Sequence, residues 1–274
     1  GWPTLEFDDT VQVLRSNRSE AYRVQQEMAG KFGASLSYMM AIAEAPTDDP
    51  FAVVAAIGPP YELFWGLGTG DFQAWMMTLA TEPDYVHALY EKLTEAWLDN
   101  LHRFHAAVGE RVDIVQFNDD LGTQDGPFLS VKMFRELVMP YYRRGLDWIH
   151  QHTTWKCFKH SCGSVDRFIP SMIESGFDIL NPVQIACESM DTKVLKETFG
   201  QRICFCGAVD TQYVLPYGTQ EEVGEETKKR IADLAPGGGY FLGAVHNIQA
   251  DVSPESIVTM YRTSAVFGGY PIRL

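Results

Sequence analysis

Residues 155–184, WKCFKHSCGSVDRFIPSMIESGFDILNPVQ, contain the pattern that decides the fold. An apolar run, Trp155–Lys159, leads into the polar turn 160–163 and an amphipathic stretch that reaches Ser175. A second apolar run, Phe177–Leu180, follows. This order predicts a strand, a turn, a helix and a parallel strand, because parallel neighbours need a crossover connection that is usually helical.

The same alternation continues on both sides of this unit. It predicts further strands at Ala52–Ile57, Val112–Phe117, Arg202–Phe205 and Tyr240–Gly243, and a seventh if Leu36–Met40 pairs. It predicts helices at Asp71–Thr81, Pro83–Val108 with Thr81 as its cap, Ser130–His152 with a kink at Pro140, Asp191–Phe199, Thr219–Leu234 and Pro254–Phe267. Repeated βα units of this spacing indicate an α/β fold, a (β/α)8 barrel of the TIM type that lacks its amino-terminal strand region.

Length and charge favour one acidic globular domain. The 274 residues fit a single barrel domain over residues 1–274. There are 22 basic and 36 acidic residues, and the formal net charge of −14 argues against binding to nucleic acid or to an anionic membrane surface. The best candidate for a membrane span, Phe51–Leu67, is interrupted by Pro59, Pro60 and Glu62, so we predict no span.

The cysteines and the start of the sequence indicate a reducing compartment. Five cysteines cannot all form disulfides, and Glu6, Asp8 and Asp9 stand where a signal peptide would be basic and then apolar. We therefore expect a cytoplasmic protein. Cys157 and Cys204 lie inside predicted strands, and we interpret them as core residues. The histidines on predicted helices we interpret as surface or packing residues; they are His87, His102, His105, His150 and His152.

Polar side chains follow nearly every predicted strand. They are Glu62, Asn118, Asp119, Asp120, His160, Cys162, Asn181, Gln184, Cys206, Asp210, His246, Asn247 and Gln249. Ligands of parallel α/β proteins bind beyond the carboxyl ends of the strands, so we expect the functional site among these residues.

His160 and Cys162 are the most specific pair in this set. Imidazole nitrogen and thiolate sulfur are preferred zinc ligands, and a catalytic zinc usually takes three ligands from the protein. We predict His246, after the last strand, as the third ligand, with Cys206 as the alternative. A carboxylate from residues 119–120 is a candidate for a fourth position.

Five segments together resemble the uroporphyrinogen decarboxylase superfamily. They are NDDLGTQDGPFLS (118–130), HSCGSV (160–165), DILNPVQ (178–184), FCGAVDTQ (205–212) and GGGYFLGAVHNIQADVSPE (237–255). The resemblance extends over most of the chain from about Gly66 onward and implies a distorted (β/α)8 barrel with its cleft at the strand carboxyl ends. Family members usually have a further segment before the point that matches Gly1, so the first strand is expected to be missing from this sequence.

Two branches of that superfamily are relevant. The decarboxylases act on a tetrapyrrole without a metal and resemble this chain at His246, but they rely on an amino-terminal arginine-rich motif that this sequence does not match. The corrinoid-dependent methyltransferases, including coenzyme M methyltransferases and O-demethylase components, bind zinc through an H-x-C turn that is similar to His160-Ser161-Cys162. Their third ligand is a cysteine in a G-C-G turn, where this sequence has His246.

The resemblance implies a zinc-dependent methyltransferase that moves a methyl group between a corrinoid protein and a small-molecule thiol or methyl ether. The alternatives are a metal-free decarboxylase acting on a tetrapyrrole and a non-catalytic barrel that binds a small molecule; a homodimer is also left open. We expect catalytic roles for Asp119, Asp120 and Gln184, and substrate contacts from Glu62, Asn181, Asp210 and Asn247. We expect Asp210 or Gln249 to hold a ligand imidazole in its tautomer.

Overall fold

A computed structural model of the protein describes residues 52–59 and 71–273. These residues form a parallel six-stranded sheet whose strands lie side by side in chain order. The strands are β1 Val54–Ala56, β2 Ile114–Asn118, β3 Lys156–His160, β4 Ile179–Asn181, β5 Cys204–Val209 and β6 Tyr240–Ala244. The predicted α/β class and six strands are confirmed, whereas Leu36–Met40 lies outside the described residues.

Helices connect and follow these strands. They are α1 Phe72–Thr81, α2 Pro83–Val108, α3 Val131–Met133, α4 Met139–His152, α5 Ile169–Ser175, α6 Thr192–Phe199, α7 Val214–Tyr217, α8 Gln220–Leu234 and α9 Pro254–Phe267. Short 3-10 turns lie at Gly109–Arg111 and Asp166–Phe168. Side chains of Asp71, Ser130, Asp191, Thr219 and Ser253 cap the helices that they precede by accepting a backbone N–H. No helix in the described part of the chain is long and apolar enough to cross a membrane.

Two helix predictions need correction. The residue at the N-cap of α2 is Glu82, not Thr81, whose hydroxyl instead donates to the Met77 carbonyl at 2.9 Å. The helix predicted over Ser130–His152 with a kink at Pro140 is interrupted slightly earlier, by a π-helical turn at Phe134–Val138 just before that proline. Proline lacks the N–H that would continue the helical ladder, and the wider turn accommodates that loss.

The strand register places three polar residues in one row. Asn118 is paired with His160 across β2 and β3, and His160 is paired with Asn181 across β3 and β4. Paired residues of neighbouring strands project to the same face of a sheet. The sequence predicted that β3 would end at Lys159, but the strand includes His160, so the first ligand candidate stands on the sheet itself.

The opposite face of the sheet packs against the helices. Phe117, Lys159 and Phe205 alternate with the row residues along their strands and are fully buried. Trp97 of α2 packs edge to face on Phe117 with ring centroids 5.6 Å apart, and its indole donates to the Ile57 carbonyl at 2.8 Å. This packed layer fixes the sheet whose carboxyl ends present the polar residues.

Candidate metal centre

His160, Cys162 and His246 come together at the carboxyl ends of the strands, and we call them the mouth cluster. Their ligand atoms all lie within 4.8 Å of one another. The Cys162 sulfur is 3.6 Å from Nε2 of His160, and the two imidazole rings have centroids 6.1 Å apart. The cluster therefore joins the end of β3, the loop after it and the loop after β6. Two imidazoles and one thiol are a donor set that suits zinc.

The loop that carries Cys162 is held on both sides. The backbone N–H of Cys162 donates to Oδ1 of Asp120 at 2.7 Å, and the N–H of Gly163 donates to Oε1 of Gln184 at 2.8 Å. Gly163 has a φ of +97°, and a Cβ there would overlap the backbone of Gly122. Glycine tolerates the positive φ and has no Cβ, so the Cys162 loop can pass close to the backbone of Gly122.

The Cys162 thiol is protonated at neutral pH when no cation is near. Burial, together with the negative charge of Asp120, raises the pKa of this thiol to about 12. Oδ1 of Asp120 also lies 3.9 Å from Nε2 of His160. A bound divalent cation would stabilise the thiolate, because a metal favours the deprotonated form of a thiol ligand.

The two neighbouring aspartates have separate environments. Asp119 is buried, accepts a hydrogen bond from the Tyr142 hydroxyl at 2.9 Å and lies 3.7 Å from the Lys159 ammonium. Its carboxylate is oriented toward α4 rather than toward His160. Asp119 therefore contacts β3 and α4, and Asp120 is the aspartate whose carboxylate lies near His160; the roles expected for the two stay predictions.

Asn181 and Cys206 have partners other than a substrate or a metal. Nδ1 of His160 lies 2.7 Å from Oδ1 of Asn181, and the Asn181 amide hydrogen-bonds the Cys206 sulfur. Cys206 is not grouped with the mouth cluster among the described residues. Burial raises the pKa of the Cys206 thiol to about 11, although the bond from Asn181 opposes the shift.

A cleft of about 220 Å³ opens beside the cluster. Its walls include Cys162, Gln184, Ile185, Asp210, Gln212 and His246. The Asp210 carboxylate accepts the backbone N–H groups of Gln212 at 2.7 Å and Val214 at 3.3 Å, so it fixes the start of α7.

The structure separates the other expected site residues from this cleft. Gln249 donates through Nε2 to the Asn247 carbonyl at 3.0 Å, and neither residue is part of the cleft wall. The hydrogen bonds that the structure describes for Asp210 and Gln249 go to the backbone of their own loops, and a role for either in orienting a ligand imidazole stays a prediction. Glu62 lies outside the described residues.

A second group of donors, which the sequence did not suggest, lies at the amino ends of β3 and β4. It consists of His150, Cys157 and Asp178, and we call it the base cluster; its ligand atoms also lie within 4.8 Å of one another. Oδ2 of Asp178 accepts the Cys157 backbone N–H at 2.8 Å and lies 3.0 Å from Nε2 of His150. The sequence carries only a weak signal for the base cluster, because its members are separated along the chain. Folding brings the carboxyl end of α4, with His150, next to the amino ends of β3 and β4.

Comparisons with known proteins agree with this architecture. The family model described as uroporphyrinogen decarboxylase (URO-D) matches residues 12–265. Among solved structures, the chain is similar to a methyltransferase from Methanosarcina mazei, with a TM-score of 0.64, 18% sequence identity, and coverage of 85% of this chain and 65% of that chain. At this identity the likeness shows the barrel-type fold alone, and the chain spans about 65% of the length of that protein. No curated protein matches the sequence. Because the family model extends over most of the sequence, the chain belongs to the uroporphyrinogen decarboxylase family.

Proposed function

We propose that the protein is a zinc-dependent methyltransferase that moves a methyl group between a corrinoid carried by a partner protein and a small-molecule thiol or methyl ether. The observation that carries this proposal is the convergence of His160, Cys162 and His246 beside a cleft at the strand carboxyl ends. The similarity of the fold to a methyltransferase from Methanosarcina mazei supports it.

The mouth cluster fits zinc in number and type of donors. It supplies two imidazole nitrogens and one sulfur, and three protein ligands are typical of catalytic zinc sites that keep a position for water or substrate. Zinc bound there would supply Lewis acidity, which lowers the pKa of a substrate thiol and polarises an ether oxygen.

The residues around the cluster would orient the substrate and accept its proton. Oε1 of Gln184 holds the Cys162 loop, so its amide nitrogen is the donor that it can offer to a molecule in the cleft. Oδ1 of Asp120 is 3.9 Å from Nε2 of His160, close enough to the cluster to receive the proton that a thiol releases. We assign Gln184 to orientation and Asp120 to proton transfer.

The cleft favours a small substrate over a tetrapyrrole. Its volume of about 220 Å³ lies below the roughly 300–1,000 Å³ of pockets that take drug-sized ligands. In the part of the chain that the structure describes, the cleft wall contains the carboxylate of Asp210 and no arginine or lysine. A substrate with many carboxylates would need such cations.

A methyl-transfer assay with purified zinc-loaded protein tests the proposal. Methylcobalamin serves as the probe donor with a panel of small thiols, and methyl phenyl ethers are offered to reduced cobalamin for the reverse direction. We expect a change in the corrinoid absorption spectrum that requires zinc and is absent from Cys162→Ser, with circular dichroism confirming that this variant folds.

Other outcomes of the same experiments would support the alternatives. Carbon dioxide release from a porphyrinogen by zinc-free protein would favour the decarboxylase. Zinc binding without transfer to or from any probe would favour a non-catalytic barrel.

A further inference from the structure

We propose that Asn181 is a positioning residue that holds the His160 imidazole for metal binding. This inference rests on the proposed function, because it concerns the same zinc site. It gives Asn181 a role that differs from the substrate contact that the sequence suggested.

Two asparagines flank His160 in the strand register, and their side chains have different partners. Asn181 on β4 has its Oδ1 2.7 Å from Nδ1 of His160. Asn118 on β2 is the register partner on the other side, but its Oδ1 accepts from Nε2 of Gln116 at 2.8 Å. The two residues are equivalent in type and row, so the specific bond to His160 is what distinguishes Asn181.

The orientation of the Asn181 amide is fixed from the β5 side. Its Nδ2 lies 3.5 Å from the point where a Cβ on Gly207 would stand. The nitrogen and the oxygen of an amide diverge, so a nitrogen that faces β5 leaves the oxygen facing His160. Gly207 provides the space for this arrangement.

The bond to Asn181 determines the tautomer of His160. A carbonyl oxygen only accepts hydrogen bonds, so Nδ1 of His160 must carry the proton. In the neutral imidazole Nε2 then carries the unprotonated lone pair, which faces the Cys162 sulfur at 3.6 Å. The bond between Asn181 and His160 thus aims a metal-binding lone pair at the mouth cluster.

Zinc affinity is the direct measure of this role. Groups that orient a ligand histidine typically contribute about 10–100-fold to metal affinity. We expect Asn181→Leu, which has a similar size and no hydrogen-bonding group, to weaken zinc binding by that factor in competition with a chromophoric chelator. Asn181→Asp restores an acceptor for Nδ1 and should keep most of the affinity. Asn118→Leu, the matched control in the same row, should bind zinc like the wild type.

A spectroscopic measurement separates positioning from substrate binding. In the cobalt(II)-substituted protein, Asn181→Leu should change the visible absorption bands before any substrate is added, whereas Asn118→Leu should not. Asn181→Ala, which also removes the acceptor for Nδ1, provides a second test if Asn181→Leu does not fold, as judged by circular dichroism.

The outcomes distinguish this inference from the proposed function. A wild-type protein that binds no zinc would overturn both. A wild type that binds zinc, with Asn181→Leu or Asn181→Ala equal to it in affinity and cobalt spectrum, would overturn the inference alone. A variant that changes only the KM for the methyl acceptor would assign Asn181 to the substrate instead.

Discussion

The mouth cluster and the base cluster both bring together a histidine, a cysteine and a third donor, with ligand atoms within the same 4.8 Å. They differ in how their hydrogen bonds are used. In the base cluster, Oδ2 of Asp178 already contacts Nε2 of His150 and the Cys157 N–H. In the mouth cluster, the bond of His160 to Asn181 engages Nδ1 and leaves Nε2 for a metal.

The two clusters also differ in access. Cys157 is fully buried inside the sheet, whereas Cys162 and His246 line the cleft. Proximity of donor types is therefore not sufficient for a catalytic metal site, since the donors must have free lone pairs and an open side. We expect the mouth cluster to bind zinc and the base cluster to stabilise the fold.

The largest expected difference between the clusters is in metal content. His160→Ala should lower the affinity for zinc by more than the roughly 10–100-fold that an orienting partner contributes, because this variant lacks one of the three ligands. Cys157→Ala in the base cluster is the control and should retain the wild-type zinc content. Elemental analysis after gel filtration measures both. Equal loss of zinc from the two variants would contradict the assignment.

A backbone change should disturb the mouth cluster without touching a ligand. Gly163→Ala places a methyl group against the Gly122 backbone at a φ of +97°, and we expect a loss of about 3 kcal/mol in the free energy of unfolding. Gly126→Ala is the control, because a Cβ at Gly126 would meet no atom within 4 Å. Urea denaturation measures both. Similar small effects from the two variants would show that the Cys162 loop has room to move.

The base cluster should show its role in the dependence of stability on pH. Burial acts to raise the pKa of Asp178, but hydrogen bonds from His150 and the Cys157 N–H outweigh it and leave the pKa lowered. Because the pKa of Asp178 is lower in the folded state, its carboxylate stabilises the protein at pH values above its unfolded pKa, about 3.9. This stabilisation is lost as the pH falls through the folded pKa.

Asp178→Asn should therefore lower the unfolding free energy by about 1–2 kcal/mol near neutral pH. The difference from the wild type should shrink at acidic pH, and the zinc content should not change. Urea denaturation at several pH values checks this prediction. A difference that persists in acid, or a loss of zinc, would argue against a purely structural role of the Asp178 carboxylate.

The smallest expected effect concerns the reactivity of the thiols in metal-free protein. Asp120→Asn keeps an oxygen that accepts the Cys162 N–H. It removes the negative charge that, next to burial as the larger cause, raises the pKa of the Cys162 thiol. The thiolate fraction at mildly alkaline pH should rise, and Cys162 should react faster with iodoacetamide. Cys157 should stay unreactive in both proteins because it is buried. Unchanged or slower alkylation of Cys162 would contradict the electrostatic role of Asp120.

Much of the fold was predictable because its signals are local. Apolar runs located the six strands of the described residues, and the predicted helix starts at Asp191 and Thr219 coincide with the N-cap residues of α6 and α8. Strand ends were less predictable: polar side chains at His160 and Asn181 end the apolar pattern, yet the backbone ladder continues through both residues.

The site was predictable only as a set of residues near the strand carboxyl ends. Which of Asp119 and Asp120 lies beside His160 depends on the path of the backbone after β2, which alternation along the strand does not define. The contact between Asn181 and His160 depends on the register of β3 against β4, which a single sequence does not specify.

X-ray absorption at the zinc edge of the wild-type protein tests the central claim most directly, because it counts the sulfur and nitrogen ligands of the bound metal. We predict one sulfur at about 2.3 Å and two imidazole nitrogens at about 2.0–2.1 Å. Two sulfurs, which would bring in Cys206, or a shell of oxygen alone would contradict the assignment of His160, Cys162 and His246.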